Sequence, residues 1–549
     1  MPWLIRLTVG AVDPGLDVTE TSIVNRSEWA MMVASVDSAS TATVGRGRGH
    51  NARDHPVTLA MNISCCLLPV LLPVCTSLFA ADRIHRYEVT VDPQLLRLDV
   101  HACFAGRPPA ELSAESLDAS GAFVEGRVAD RRQSIVPNGT DMKLKDLPDN
   151  GCIRYSVDIA RLPGMNDAFG AGNQRVGRDL LTSTGVWFWR PAELGADEDI
   201  EVAFHLPPGM SVSAPWPPVR PARDMPTFKV GRGAFDRPSN VAFGRFEEVA
   251  IEVPGAVLRV AILDGSPPMS VESARRWLHD AASSVASIYG RFPVRSPQVL
   301  VLPGARAAEP APWAFVSRGG DAAVHFEVNQ RRPLREFVDD WTAAHEMSHL
   351  LLPYVSLNES WLSEGIASYY QNIARARSGA VTPEGAWQRM HSSFRRAAEW
   401  AARTPNITLA QATARMYRDG GYMRVYWSGA AILMLADIQL REQSAGSQSL
   451  DSVLGRFADC CLDPDPEWTT RQVFAKWDEL SGTGIFGALY DQYVDAGGFP
   501  DLAPVYARIG LEPLGGKIGL LDAAPQIAVR DAIMARGNYT TPSELLDRR

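Results

Sequence analysis

His345-Glu346-Met347-Ser348-His349, followed by Trp361-Leu362-Ser363-Glu364-Gly365, is the stretch on which the reading of this chain turns. Side chains four residues apart share one face of a helix. His345 and His349 would therefore present two imidazoles to one point. Zinc in catalytic sites takes three nitrogen or oxygen ligands from the protein and leaves a fourth position for water. Glu346 lies between the histidines, where its carboxylate could take a proton from that water. Glu364 is the candidate third ligand. The bland alternative, a helix that happens to carry two histidines, explains the first block alone but leaves the second without a reason.

The local pattern supports helices on both sides. Leu334, Phe337, Val338, Trp341, Ala344, Met347 and Leu351 recur at three- and four-residue steps, predicting one amphipathic helix over 334–352. Pro353 would end it. A second helix is predicted from an Asn358 cap through Arg375. It would carry Glu364 in its second turn, with Ser368 and Gln371 on the same face. Fourteen residues separate His349 from Glu364, enough to reverse the chain and lay the second helix along the first.

The two blocks together resemble those of the gluzincin metallopeptidases, specifically the glycyl aminopeptidase-like family and, more distantly, the aminopeptidase N family. There a W-[LV]-[SN]-E-G block opens the second helix and its glutamate is the third zinc ligand. The resemblance implies a thermolysin-like catalytic domain, Zn2+ as cofactor and Glu364 as ligand. The interval before Glu364 is shorter than in aminopeptidase N relatives, so the loop between the helices is reduced. Tyr426-Trp427-Ser428-Gly429 is similar to the family's Y-x-[KR]-G block, which implies that Tyr426 donates to the oxyanion of the tetrahedral intermediate. A phenol suits that role because it donates without carrying charge. Tyr422 is a rival for the role, and a core-packed aromatic is the plain alternative. Relatives also carry a glycine-rich edge strand before the zinc helix, with a glutamate that holds the substrate's amino terminus. Ser317 to Glu327 is the corresponding stretch here. It implies substrate contacts from Gly319, Gly320 and Asp321, but a glutamate at the family's offset is missing; Asp321 or Glu327 could stand in for it. Alternation over Ala323–Val328 predicts a strand with one polar face, on which His325 is expected as a surface or edge-strand residue.

The remainder sets bounds. At 549 residues the chain exceeds a single core. A formal net charge of −9 argues against a nucleic-acid partner. Residues 1–60 show no sustained period and are expected to be disordered or to precede the true start at Met61. Residues 61–81, an apolar run ending in Phe79-Ala80-Ala81, resemble a secretory signal, too short and proline-broken for a stable membrane span. That points to export, into the periplasm or beyond the cell. Cys103 and Cys152 lie on strand-like segments of one region and are expected to pair in an oxidising compartment. Adjacent Cys460 and Cys461 are not assigned by the sequence: two free thiols are the expectation and a vicinal bridge is the alternative. Gly170-Ala171-Gly172 lacks the strand–helix context of a nucleotide loop.

The expected architecture is multidomain α+β. A β-sandwich-like domain over 82–253 precedes a zinc catalytic domain over 254–380, a helical domain over 381–510 and a tail over 511–549. In the first, Glu247–Ile251 is expected as a strand and Trp187-Phe188-Trp189 as a buried strand or domain contact. The function expected is that of an exported zinc metallopeptidase acting on a peptide or protein substrate, with aminopeptidase action as one form. Two readings stand beside it: a silent relative serving as a binding module, and a zinc hydrolase of non-peptide substrates. Nothing in the sequence bears on oligomeric state.

Overall fold

A computed structural model describes residues 83–536, apart from 130, 132, 162–172, 221–224, 232–236, 238 and 463–466. The expected leader segments 1–60 and 61–81, and the glycine run Gly170-Ala171-Gly172, lie outside the described residues. The amino-terminal region is sheet-rich and the carboxy-terminal region helical, a mixed α+β arrangement. Alternating patterns such as that of Arg83–Val91 put every second side chain inward. Seven strands form one sheet, running in space from Pro218–Arg220 through Glu198–His205, Arg83–Val91 and Arg97–Cys103 to Phe123–Val128. Arg83–Val91 pairs parallel with Glu198–His205 and antiparallel with Arg97–Cys103. A four-stranded sheet includes Asn240–Gly244 and Asp179–Ser183, and one apolar cluster joins the two sheets. Trp187, Phe188 and Trp189 lie buried in that cluster, on a loop after a 3-10 turn rather than on a strand. Cys103 and Cys152 face each other in register across neighbouring strands and are joined by a disulfide.

A separate sheet of five strands carries the site. Its order is Glu247–Val253, Ala256–Ile262, Gln298–Pro303, Ala323–Val328 and Trp313–Ser317. The strand at Glu247 thus belongs to this sheet and not to the amino-terminal sheets, a correction to the boundary expected at residue 253. Alternation identifies a strand, but partner choice is a long-range matter. The helix Val271–Ala286, capped by the Ser270 hydroxyl, makes the crossover between the parallel strands Ala256–Ile262 and Gln298–Pro303. Its Trp277 packs against Phe326 of the sheet and Phe337. Trp313–Ser317, hereafter the edge strand, closes the sheet: among the described residues no strand pairs with its outer side. His325 therefore sits one strand in, 1% exposed and stacked on Phe315, not at an edge or surface. Burial lowers its pKa to about 3, so it packs as a neutral ring.

The helix predicted over 334–352 is two helices, Leu334–Asp339 and Thr342–Ser348, with a 3-10 turn at His349–Leu351. Asp340 makes the break. It is extended, and its carboxylate accepts the Thr342 N–H at 2.8 Å, the capping geometry that aspartate prefers to a helix interior. The next helix starts later than expected, spanning Trp361–Ser378 after a 3-10 turn at Leu357–Glu359, so Glu364 falls in its first turn rather than its second. Beyond residue 511 the expected tail is folded. A hairpin of Leu511–Leu514 and Lys517–Leu520 and the helix Ile527–Met534 bury Leu511, Ile518 and Ile533 in the helical core. Cys460 and Cys461 also depart from expectation and are joined to each other. The chain bends sharply there, both amides donating to the Phe457 carbonyl at the end of a helix.

Candidate metal centre and its cleft

Three helices converge under the edge strand: Thr342–Ser348 with the histidines, Trp361–Ser378 with Glu364, and Tyr422–Gln443 with Tyr426. The last two cross at a glycine pair. A Cβ on Gly365 would stand 2.8 Å from the Gly429 Cα, and one on Gly429 only 2.2 Å from the Trp361 carbonyl oxygen. Backbones this close tolerate no side chain. Each glycine neighbours a site residue, Glu364 beside Gly365 and Tyr426 one turn before Gly429. The crossing thereby brings the carboxylate and the phenol together.

The donor atoms meet inside. His345 Nε2 and His349 Nε2 lie 3.4 and 3.7 Å from Glu364 Oε2. The outer ring nitrogens are occupied, His345 Nδ1 by Gln371 Oε1 at 2.7 Å and His349 Nδ1 by Ser363 Oγ at 2.9 Å. With Nδ1–H donating to those oxygens, each Nε2 keeps its lone pair for the centre, the usual support of metal-binding imidazoles. Glu364 Oε2 is buried and has no hydrogen-bond partner. That would cost free energy in a finished site, unless a cation completes it. Donors held at about 2.1 Å from one tetrahedral centre lie roughly 3.4 Å apart, and two nitrogens with one carboxylate oxygen are a donor set for catalytic zinc. The residues fit the ion. His345, Glu346 and His349 also offer donor atoms within 4.8 Å of one another, so Glu346 flanks the centre.

The electrostatics follow from burial among like and unlike charges. Burial raises the Glu346 carboxyl to about 7, with the Glu364 charge adding to it against the pull of His345. Burial also lowers His349 to about 4. For Glu364 burial works upward but is outweighed by His349, His345 and the Tyr426 hydroxyl, which keep it ionised. Tyr426 stacks on the His345 ring at 6.1 Å and hydrogen-bonds Glu364. Burial, with the Glu364 charge behind it, keeps the phenol protonated. Tyr422 meets Tyr426 edge-on. Tyr417, which sequence reading passed over, lines the cleft beside Glu364. Its four-residue helix, Met416–Asp419, is too short to show a period.

The cleft has two lobes that share Trp313, Ala314, His345 and Glu346, with volumes of about 350 and 410 Å³. Every residue of the edge strand lines the first of them. Gly319, Gly320 and Asp321 do not line either lobe. They form the turn behind the edge strand, Gly320 against Trp216, and Asp321 facing the field of Arg259. Glu327 is on the inner strand, opposite Trp313. The strand that lines the cleft is thus Trp313–Ser317, which carries no carboxylate.

Neither a family model nor a curated protein matches the sequence. Solved structures do match. An aminopeptidase N family protein from Idiomarina loihiensis superposes with a TM-score of 0.57 over 78% of each chain, at 14% identity. An M1 zinc metallopeptidase variant from Deinococcus radiodurans, bound to a Tyr-Ser-Ala substrate, gives 0.48 at 16% identity over 76% of this chain and 95% of its own. Yeast LTA4 hydrolase with bestatin gives 0.47 at 12% identity over 79% and 73%. The class defined is that of gluzincin aminopeptidase-like folds. Within it, the chain is a distant structural relative of the aminopeptidase N family, and at these identities the fold is what they share.

If His345, His349 and Glu364 form the centre, purified protein carries stoichiometric zinc and His349→Ala loses nearly all of it, read by metal analysis. Unchanged zinc in that variant would refute the ligand set.

Proposed function

We propose that the chain is a zinc metallopeptidase with a thermolysin-like catalytic domain, hydrolysing peptide bonds outside the cytoplasm. The observation that carries the reading is the convergence of His345, His349 and Glu364 beside Glu346, under a sheet edge with which no described strand pairs. An extended peptide can add to such an edge as a further strand, its backbone held while one carbonyl lies at the centre. Bound zinc would supply Lewis acidity to a water molecule and to the scissile carbonyl. Glu346 takes the proton of the attacking water and delivers it to the leaving amine. A carboxyl held near 7 by burial is matched to both steps. Tyr426, kept protonated, donates to the oxyanion as charge develops there. Gln371 and Ser363 hold the two imidazoles in orientation. The likeness to an aminopeptidase N family protein supports peptide hydrolysis. The Cys103–Cys152 bridge supports export, because such bonds persist in oxidising compartments.

The test is hydrolysis of a peptide library by zinc-loaded protein, followed by mass spectrometry of the products. Tyr426→Phe should then bind peptide with little change and lose about 100-fold in kcat, the scale of one oxyanion donor. A wild type inert towards every peptide would overturn the reading.

A further inference from the structure

Resting on that reading of the site, we infer that the cleft takes a peptide chain through it rather than a peptide end, so that the protein is an endopeptidase. Three elements carry the argument, because each runs past the centre and meets one lobe on either side of it. On the first helix, Thr342 and the preceding Trp341 line the second lobe, whereas His349 and Pro353 beyond its end line the first. On Trp361–Ser378 the chain order is reversed, with Ser363 and Glu364 on the first lobe and Ser368, Gln371 and Asn372 on the second. Along the sheet, Pro312 lines only the second lobe, Trp313 and Ala314 line both, and Phe315 to Ser317 line only the first. His345 and Glu346 belong to both lobes. The centre therefore lies between two cavities and not at the end of one.

The edge strand suits a chain that passes the centre. Its five residues, at about 3.3 Å each, span about 17 Å. A substrate strand paired along it would place residues on both sides of the scissile bond. The charges fit a substrate without a terminus. An enzyme that counts from a chain end must hold the charge of that end, and a charge taken out of water needs a counter-charge. Among the described residues, the carboxylates lining the lobes are Glu346 and Glu364, both committed to the centre. Arg318 gives an N–H to the His349 carbonyl at 2.7 Å, and its charge would repel an ammonium in the first lobe. Arg389 and Arg396 of the second lobe are exposed at its rim, where a terminal carboxylate gains little. The deep groups of that lobe are neutral. Ser368 and Asn372 are each 1% exposed, and Asn372 Nδ2 has no hydrogen-bond partner. That amide is a donor for the backbone carbonyl of a passing chain.

The reaction inferred adds water across one internal amide bond, leaving a new carboxyl end on one fragment and a new amino end on the other. The test uses zinc-loaded wild type and ten-residue peptides, each with its amino terminus free or acetylated and its carboxy terminus free or amidated. Mass spectrometry places the broken bond, and kcat/KM is measured for every form. Doubly blocked peptides should be cut internally, with kcat/KM within about threefold of the free forms, because weakly held end charges are worth under about 1 kcal/mol. Shortening the peptide to one residue on either side of the broken bond should each time cost about tenfold or more, as backbone hydrogen bonds in one lobe are lost. A tenfold preference for a free amino or carboxy terminus would overturn the inference and leave the peptidase standing. So would release of single end residues only, or indifference to shortening on one side. No cleavage of any peptide would overturn both.

Discussion

Glu346→Gln is expected to fold, to bind zinc as the wild type does, and to lose about 1,000-fold or more in kcat. The amide is isosteric and keeps the neighbours of the carboxyl in place, but it cannot accept the proton of the attacking water. Glu346 is 6% exposed, with a carboxylate oxygen within 4.8 Å of donor atoms of both histidines, and in the proposed set it is the base and not a ligand. Its replacement should therefore spare the metal. Burial makes its carboxyl hold a proton more tightly than an exposed glutamate would, which strengthens it as the base that takes the proton of water, while the leaving amine is more basic still and can receive it. Single-turnover kinetics on a peptide that the wild type cleaves, with zinc content measured alongside, reads both halves. Loss of zinc with loss of rate would make Glu346 a ligand instead. Retained rate would refute its part as base.

The meeting of His345, His349, Glu364 and Glu346 at one point could be read from sequence because the information is local. Helical spacing alone aims His345 and His349 together, and the second block supplies Glu364. Gln371 was visible on the same face, and its place behind His345 follows from that spacing. What surrounds the centre was not local. The hairpin of Trp313–Ser317 and Ala323–Val328 has two strands that both suit a sheet. Which one lies outermost depends on the pairing of Ala323–Val328 with Gln298–Pro303. Resemblance to the family's glycine-rich edge strand places Gly319, Gly320 and Asp321 at the substrate, whereas the cleft is lined by the residues just before them. Arg237, which also lines the first lobe of the cleft, could not be found at all, since it enters from the amino-terminal region with no spacing to the histidines. The break at Asp340 was readable in principle. Aspartate two residues before a threonine amide is a cap, and an unbroken apolar period concealed it.

Gly429→Ala should be among the most damaging single-methyl changes at the described glycines. The added carbon would lie 2.2 Å from the Trp361 carbonyl oxygen and 2.9 Å from the Gly365 Cα. Both are backbone atoms of the helix that carries Glu364, so no side chain can rotate away. The two helices must separate, and forced repacking of this kind costs about 3 kcal/mol. Glu364 would move relative to the histidines, and Tyr426 would withdraw with its own helix. The expected result is a lowered unfolding midpoint, weaker zinc binding and a loss of rate beyond that of Tyr426→Phe, all from a residue that touches no ligand. Gly421→Ala is the control. It sits at the start of the same helix with nothing within 4 Å of the added carbon, and should cost under about 1 kcal/mol. Zinc titration and thermal denaturation of the two variants decide the matter. Wild-type stability and zinc affinity in Gly429→Ala would mean that the glycine contact does not set the distance between Glu364 and Tyr426.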